Sequence, residues 1–167
     1  MASIFELVAQ NIVTTLQTIT IANGYEISPL VRRYGTDKKP ASKTNSTAGV
    51  SYTVEIEVHQ GNIENVPETV FGKSYYTMNF MLLGFIIQPQ NTTTPTDQII
   101  NQIYAAVTKA LMADAQRGVF INTTNPLAVD TQVGDAVIFG KGTADYEGVA
   151  VPVTVDVRTN QFDPYNQ

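Results

Sequence analysis

A chain of 167 residues, 43% hydrophobic and 15% charged, is sized for one domain with a core of its own. It contains no cysteine, which removes disulfides, thiolate metal sites and a cysteine nucleophile. No apolar run approaches the roughly 20 residues that span a bilayer, no cationic leader precedes one, and a net charge of −5 disfavours a broad phosphate-binding surface.

The first element is a helix. Ser3 and Glu6 form a capping box, in which the serine hydroxyl and the glutamate each answer a free amide of the first turn. Phe5, Val8, Ile12 and Leu16 recur at helical spacing, widened by Ile4 and Leu7, so the helix runs to about Thr18 and buries one side. Asn23-Gly24 marks the exit turn. Tyr25 to Arg33 reads as a first strand, which Pro29 confines to an edge or a bulge because proline has no ladder donor.

Residues 35–49 have no apolar periodicity, are dense in turn formers, and read as a long exposed loop. Arg32, Arg33, Lys38, Lys39 and Lys43, against the single acid Asp37, give residues 32–43 a charge of +4 and leave −9 to the rest. A loop of this length and charge fits a contact made in an assembly, and equally a solvated mobile segment.

Val50, Tyr52, Val54, Ile56 and Val58 then alternate with polar residues, the pattern of a two-faced strand. After a turn over Gly61 to Pro67, Ser74 to Gln88 forms another strand. Its second half, Met81 to Ile87, is nearly all apolar and needs cover on both faces, which a neighbouring subunit would supply. Thr94-Pro95-Thr96-Asp97 starts a second helix, with threonine as cap and proline at the first helical position. Ile99, Ile100, Ile103, Val107, Ala110 and Leu111 stripe it to about Arg117, where Gly118 closes it. Val119 to Val133 is irregular, and Asp135 to Phe139 pairs with the terminal strand through the Gly140 to Gly148 connection. In that strand valine stands at 149, 151, 153, 155 and 157, five β-branched side chains on one face. This order implies an α+β fold, an antiparallel sheet with two α-helices packed on one face.

No catalytic set emerges. His59, the single histidine, lies on the polar side of its strand beside Glu57 with no second histidine to share a metal or a proton relay. Glu55 and Glu57 read as the wet face of a strand rather than a glycosidase pair. Phe71-Gly72-Lys73-Ser74 lacks the upstream glycine of a phosphate-binding loop, since position 67 is proline. Asn45, Asn91 and Asn122 begin glycosylation triplets, by-products of a chain rich in threonine and asparagine.

The closing strand exits through Arg158 and Thr159 to Asp163-Pro164-Tyr165. With the order helix, strands, long helix, strand, this resembles the tail terminator (tail completion, minor tail) proteins of phages and prophages. The resemblance covers most of the chain. It implies a virion structural protein, not an enzyme, without cofactor or metal, and without affinity for membranes. Six copies would form a homohexameric ring that caps the tail tube protein, ends its polymerisation and offers a face to the head-side connector, while DNA passes through the lumen without specific binding. Candidate assembly contacts are Arg32, Arg33, Lys38, Lys39 and Lys43 in the basic segment and Asp163 and Tyr165 at the end of the chain. Another neck ring protein, or a small-molecule-binding or hydrolytic α+β domain with the same ending, would show the same pattern.

Overall fold

The five valines near the end of the chain organise the molecule. In the computed structural model, which describes residues 2–35, 53–70, 72–87, 94–119, 125–140, 147–160 and 165, the fold is α+β. Eight elements follow in order: α1 (Ile4–Gln17), β1 (Leu30–Arg33), β2 (Thr53–Val70), β3 (Lys73–Ile87), α2 (Thr96–Met112), β4 (Asp130–Val133), β5 (Val137–Phe139) and β6 (Glu147–Asn160). The sheet runs β1-β2-β3-β6-β4, and β5 pairs the other part of β6 on the same side as β4. β6 is therefore an interior strand, antiparallel to β3 from Lys73↔Asn160 to Ile86↔Glu147.

Its valines are all buried, none more than 1% exposed. Removing each from water contributes about 1.5 kcal/mol or more, so this one face is a large share of the core. Val54, Ile56 and Val58 of β2 and Met78, Phe80, Leu82 and Ile86 of β3 complete the same face. Both helices pack on it with their apolar stripes, Ile4, Val8, Ile12 and Leu16 from α1 and Ile99, Ile103, Val107 and Leu111 from α2. Ile103 lies directly over Gly84, where β3 carries no side chain, and Phe5 meets Tyr76 edge to face at 5.2 Å.

The sheet is mixed rather than wholly antiparallel, because β1 runs parallel to β2 with Leu30 opposite Glu55. The first strand also starts only at Leu30. Residues 21–23 form a 3-10 turn that Gly24 closes at φ 79°, and Pro29 precedes β1 at the sheet edge, as its missing donor requires. β2 runs straight through the expected Gly61–Pro67 turn. A bulge between Gln60 and Ile63 absorbs one extra residue, and a second irregularity between Val66 and Val70 accommodates Pro67 on the outer side of an edge strand. The reversal is made instead near Gly72, at φ 72°.

α2 begins one residue late and ends early. Pro95 is its N-cap with no side-chain cap bond, and the helix stops at Met112. Ala113 to Gln116 continue as turns, and Arg117 (φ 58°) and Gly118 (φ 79°) both enter the left-handed region. β4 lies within the stretch expected to be irregular, held by Thr131 Oγ1 donating to the Ala115 carbonyl at 2.6 Å. Ser3 caps α1 by accepting from Glu6 N at 3.3 Å, while the Glu6 carboxylate is taken by Arg33 and Gln10. Among the described residues, no helix is long and apolar enough to cross a membrane.

Candidate assembly surface

Because side chains alternate along a strand, burying the even-numbered side chains of β3 under the helices turns the odd ones to the opposite face. Met81, Leu83, Phe85 and Ile87 stand there in one column. Met81 is 39% exposed and the other three are partly buried. Ala150 and Pro152 of β6 lie directly beside Leu83 and Met81. Phe139 leans across from β5 to meet Phe85 edge to face at 5.6 Å, over Gly148, where any side chain would collide with its ring. Among the described residues no helix or strand covers this face.

The next column is charged and closed on itself. Glu55, Glu57 and His59 of β2 stand opposite Phe85, Leu83 and Met81. Arg32 of β1 reaches across to Glu57 and lies 3.7 Å from Glu55, and the other Glu57 oxygen is 3.0 Å from His59 Nε2. Tyr34 stacks on the imidazole with ring centroids 4.2 Å apart. Burial first, and then the Arg32 charge, hold the His59 pKa below the ordinary imidazole range, so the ring is neutral at pH 7. The reading of Glu55 and Glu57 as merely wet is thus corrected, since both carboxylates are largely covered and share one guanidinium.

Arg33 points to the helix side. It donates to Glu6 of α1 at 2.7 Å and to Gln60 at 3.1 Å, and its hydrogen bond is the main cause of the lowered Glu6 pKa. Of the seven residues expected to make assembly contacts, Arg32 and Arg33 are therefore joined to carboxylates of this chain and lie on opposite faces of β1. Tyr165 is exposed, and Lys38, Lys39, Lys43 and Asp163 lie outside the described residues, as do the three glycosylation triplets.

Sequence reasoning passed over Arg117. Its side chain is fully buried and donates to the carbonyls of Leu111 and Asp114, placing a cation at the C-terminal end of α2, where the helix dipole favours it. Nε and Nη1 find no hydrogen-bond partner, and burial lowers its pKa. Two open clefts flank α2. One, of about 440 Å³, lies between Tyr25 and Gln98, Gln102 and Lys109; the other, of about 330 Å³, is lined by Asp97, Ile100, Ile138 and Phe139. No group of three or more histidine or acidic side chains able to hold a metal occurs among the described residues. No family model matches the chain, and no curated protein is significantly similar to it.

Proposed function

We propose that this chain is a phage or prophage virion protein of the tail terminator kind, a ring subunit of the neck that caps the tail tube, ends its growth and offers a docking face to the head-side connector. Function in this reading is binding through surfaces, with no catalytic step and no cofactor. The observation that carries it is the sheet face opposite the helices, where Met81 is 39% exposed and Leu83, Phe85 and Ile87 are partly buried. A column that no helix or strand among the described residues covers suits a contact made in an assembly. The succession of α1, the long β2–β3 hairpin, α2 and the valine strand β6 agrees with the family's order of elements.

An acidic subunit suits a lumen through which DNA slides without adhering, since like charges repel. Within the same reading, Lys38, Lys39 and Lys43 meet an acidic neighbour in the neck, and Tyr165 anchors the end of the chain in a partner pocket. The protein is made in the host cytoplasm and ends in the virion. The test is negative-stain imaging of the purified protein with tail tubes of its own phage. Tubes capped at one end, with capping that weakens as salt rises and less steeply once Lys38, Lys39 and Lys43 are glutamine, support the proposal. Bare tube ends at every protein concentration would overturn it.

A further inference from the structure

Among the asparagines of the chain only Asn23 precedes a glycine. That pair has a chemistry of its own. The Gly24 backbone nitrogen can attack the Asn23 side-chain carbonyl carbon, because the five-membered imide that results is built from atoms of these two residues and glycine puts no side chain in the path. Asn23 is exposed in the 3-10 turn that follows α1, so water reaches the carboxamide.

The fold restrains both reacting groups. Gly24 N–H, which must give up its proton before the nitrogen is a nucleophile, donates to the Ile21 carbonyl at 3.1 Å. Asn23 Nδ2 donates to the Thr18 carbonyl at 2.8 Å, which ties down the carboxamide that must turn toward Gly24. The turn is also held from its two sides. Asn23 N donates to the Thr20 carbonyl at 3.0 Å and to the Thr20 hydroxyl at 3.2 Å, and Ile21 N donates to Ser28 Oγ at 2.9 Å. The bonds made by side chains here are exposed, and a short exposed turn is the kind of segment that opens while the core stays folded.

We propose that Asn23 is a site of spontaneous deamidation, gated by opening of the 3-10 turn and irreversible once made. With the turn open, the Gly24 nitrogen loses its proton to hydroxide and bonds to Asn23 Cγ, and the Cγ–Nδ2 bond breaks to release ammonia. Water then opens the imide. Breaking the new Gly24 N–Cγ bond leaves aspartate, and breaking the original peptide bond leaves isoaspartate. Either product carries a carboxylate, which accepts hydrogen bonds but has none to give to the Thr18 carbonyl, so the turn does not close again as before. Gly24, Tyr25 and Glu26 line the cleft of about 440 Å³ beside Lys109, whose Nζ lies 4.7 Å from the centre of the Tyr25 ring, so the change falls on the wall of that cleft.

The experiment incubates the purified chain at mildly alkaline pH, folded and in urea, and follows the peptide containing Asn23 by mass spectrometry. Asn23 should convert in the folded protein, and at least about tenfold faster in urea. Thr20→Ala and Ser28→Ala, both folded by circular dichroism, should each speed conversion in the folded state about threefold or more, the effect of losing one hydrogen bond of the turn. Asn23→Asp, which has the sequence of one product, should exchange its Gly24 amide hydrogen at least about tenfold faster than wild type. Should a variant fail to fold, the ratio between folded and unfolded wild type still decides. An Asn23 that stays intact in the folded protein through weeks of incubation would overturn the site, and equal rates in the folded and unfolded chain would overturn the gate. Unchanged conversion in both folded alanine variants, or unchanged Gly24 exchange in Asn23→Asp, would tell against the turn as the controlling element and overturn the proposal as well.

Discussion

Gly84 of β3 and Gly148 of β6, diagonal neighbours whose cross-strand partners are Val149 and Phe85, make a sharp test of the packing. A methyl group added at Gly148 would overlap the Gly84 carbonyl oxygen and lie 2.6 Å from Cζ of Phe139. The carbonyl belongs to the β3–β6 ladder and cannot turn aside without breaking it, and the ring is held against Phe85. At Gly84 the same methyl would meet only side-chain ends, Ile103 Cγ2 at 3.0 Å and Val149 Cγ1 at 3.2 Å. Those neighbours need give only a few tenths of an ångström, although both belong to the core. Alanine also lowers the entropy of the unfolded chain, a gain of about 0.4–1 kcal/mol that applies at both sites. Overpacking costs about 1–3 kcal/mol where side chains alone must shift, and more where backbone must move. Gly148→Ala should therefore cost about 3 kcal/mol and Gly84→Ala about 1 kcal/mol or less. For a domain of this size that is a fall in Tm of about 6–12 °C against about 4 °C or less. Urea unfolding followed by circular dichroism measures both. A Gly148→Ala protein as stable as wild type, or a Gly84→Ala protein that is the less stable of the two, would refute the reasoning.

Arg117→Ala should lower stability by about 3 kcal/mol, because it vacates a fully buried site and leaves the Leu111 and Asp114 carbonyls without their donor; a change under about 1 kcal/mol in urea unfolding would show that the cation adds little. The pH dependence of stability should carry a contribution from His59. Its folded pKa lies below the unfolded value, so the unfolded chain binds the proton first, and this contribution is complete above the unfolded pKa of about 6.5 and lost as pH falls through the folded one. His59→Gln should flatten the unfolding free energy over that interval, and equal slopes in the two proteins would remove His59 from the account. Glu6 behaves alike at lower pH, its stabilising pair with Arg33 present above the unfolded carboxylate pKa and lost as pH falls through the folded one, so Arg33→Gln should weaken acid dependence there in a urea series taken at successive pH values.

How much of this could be read from the chain depends on the distance over which each feature is decided. α1 and β6 are legible because their information is local: a serine cap with apolar residues three and four apart in one, valine at every second position in the other. Burial of Met78, Phe80, Leu82 and Ile86 on one side of β3, with Met81, Leu83, Phe85 and Ile87 left on the other, follows from the same alternation. β2 misleads because Gly61 and Pro67 have the chemistry of a turn, and only pairing with β3, which tolerates a bulge and an edge proline, draws them into the strand. The parallel β1–β2 pair and β4 are decided by partners far along the chain, and a four-residue strand carries too little alternation to announce itself.

The candidate surface divides in the same way. Arg32 and Arg33 are visible as cations, but their partners Glu57 and Glu6 stand 25 and 27 residues away, so no local pattern shows that the two charges are neutralised on opposite faces. That neutralisation changes what the basic stretch can do. With Arg32 and Arg33 joined to carboxylates of the body, the electrostatic contact proposed for this stretch falls to Lys38, Lys39 and Lys43, and the proposed apolar contact to the sheet. The two contacts therefore separate by their response to salt. Rising ionic strength screens a contact made through lysines, whereas a contact made through an apolar face keeps or gains affinity. Self-association that holds as salt rises, alongside tube capping that fades, is the combination this division of labour requires.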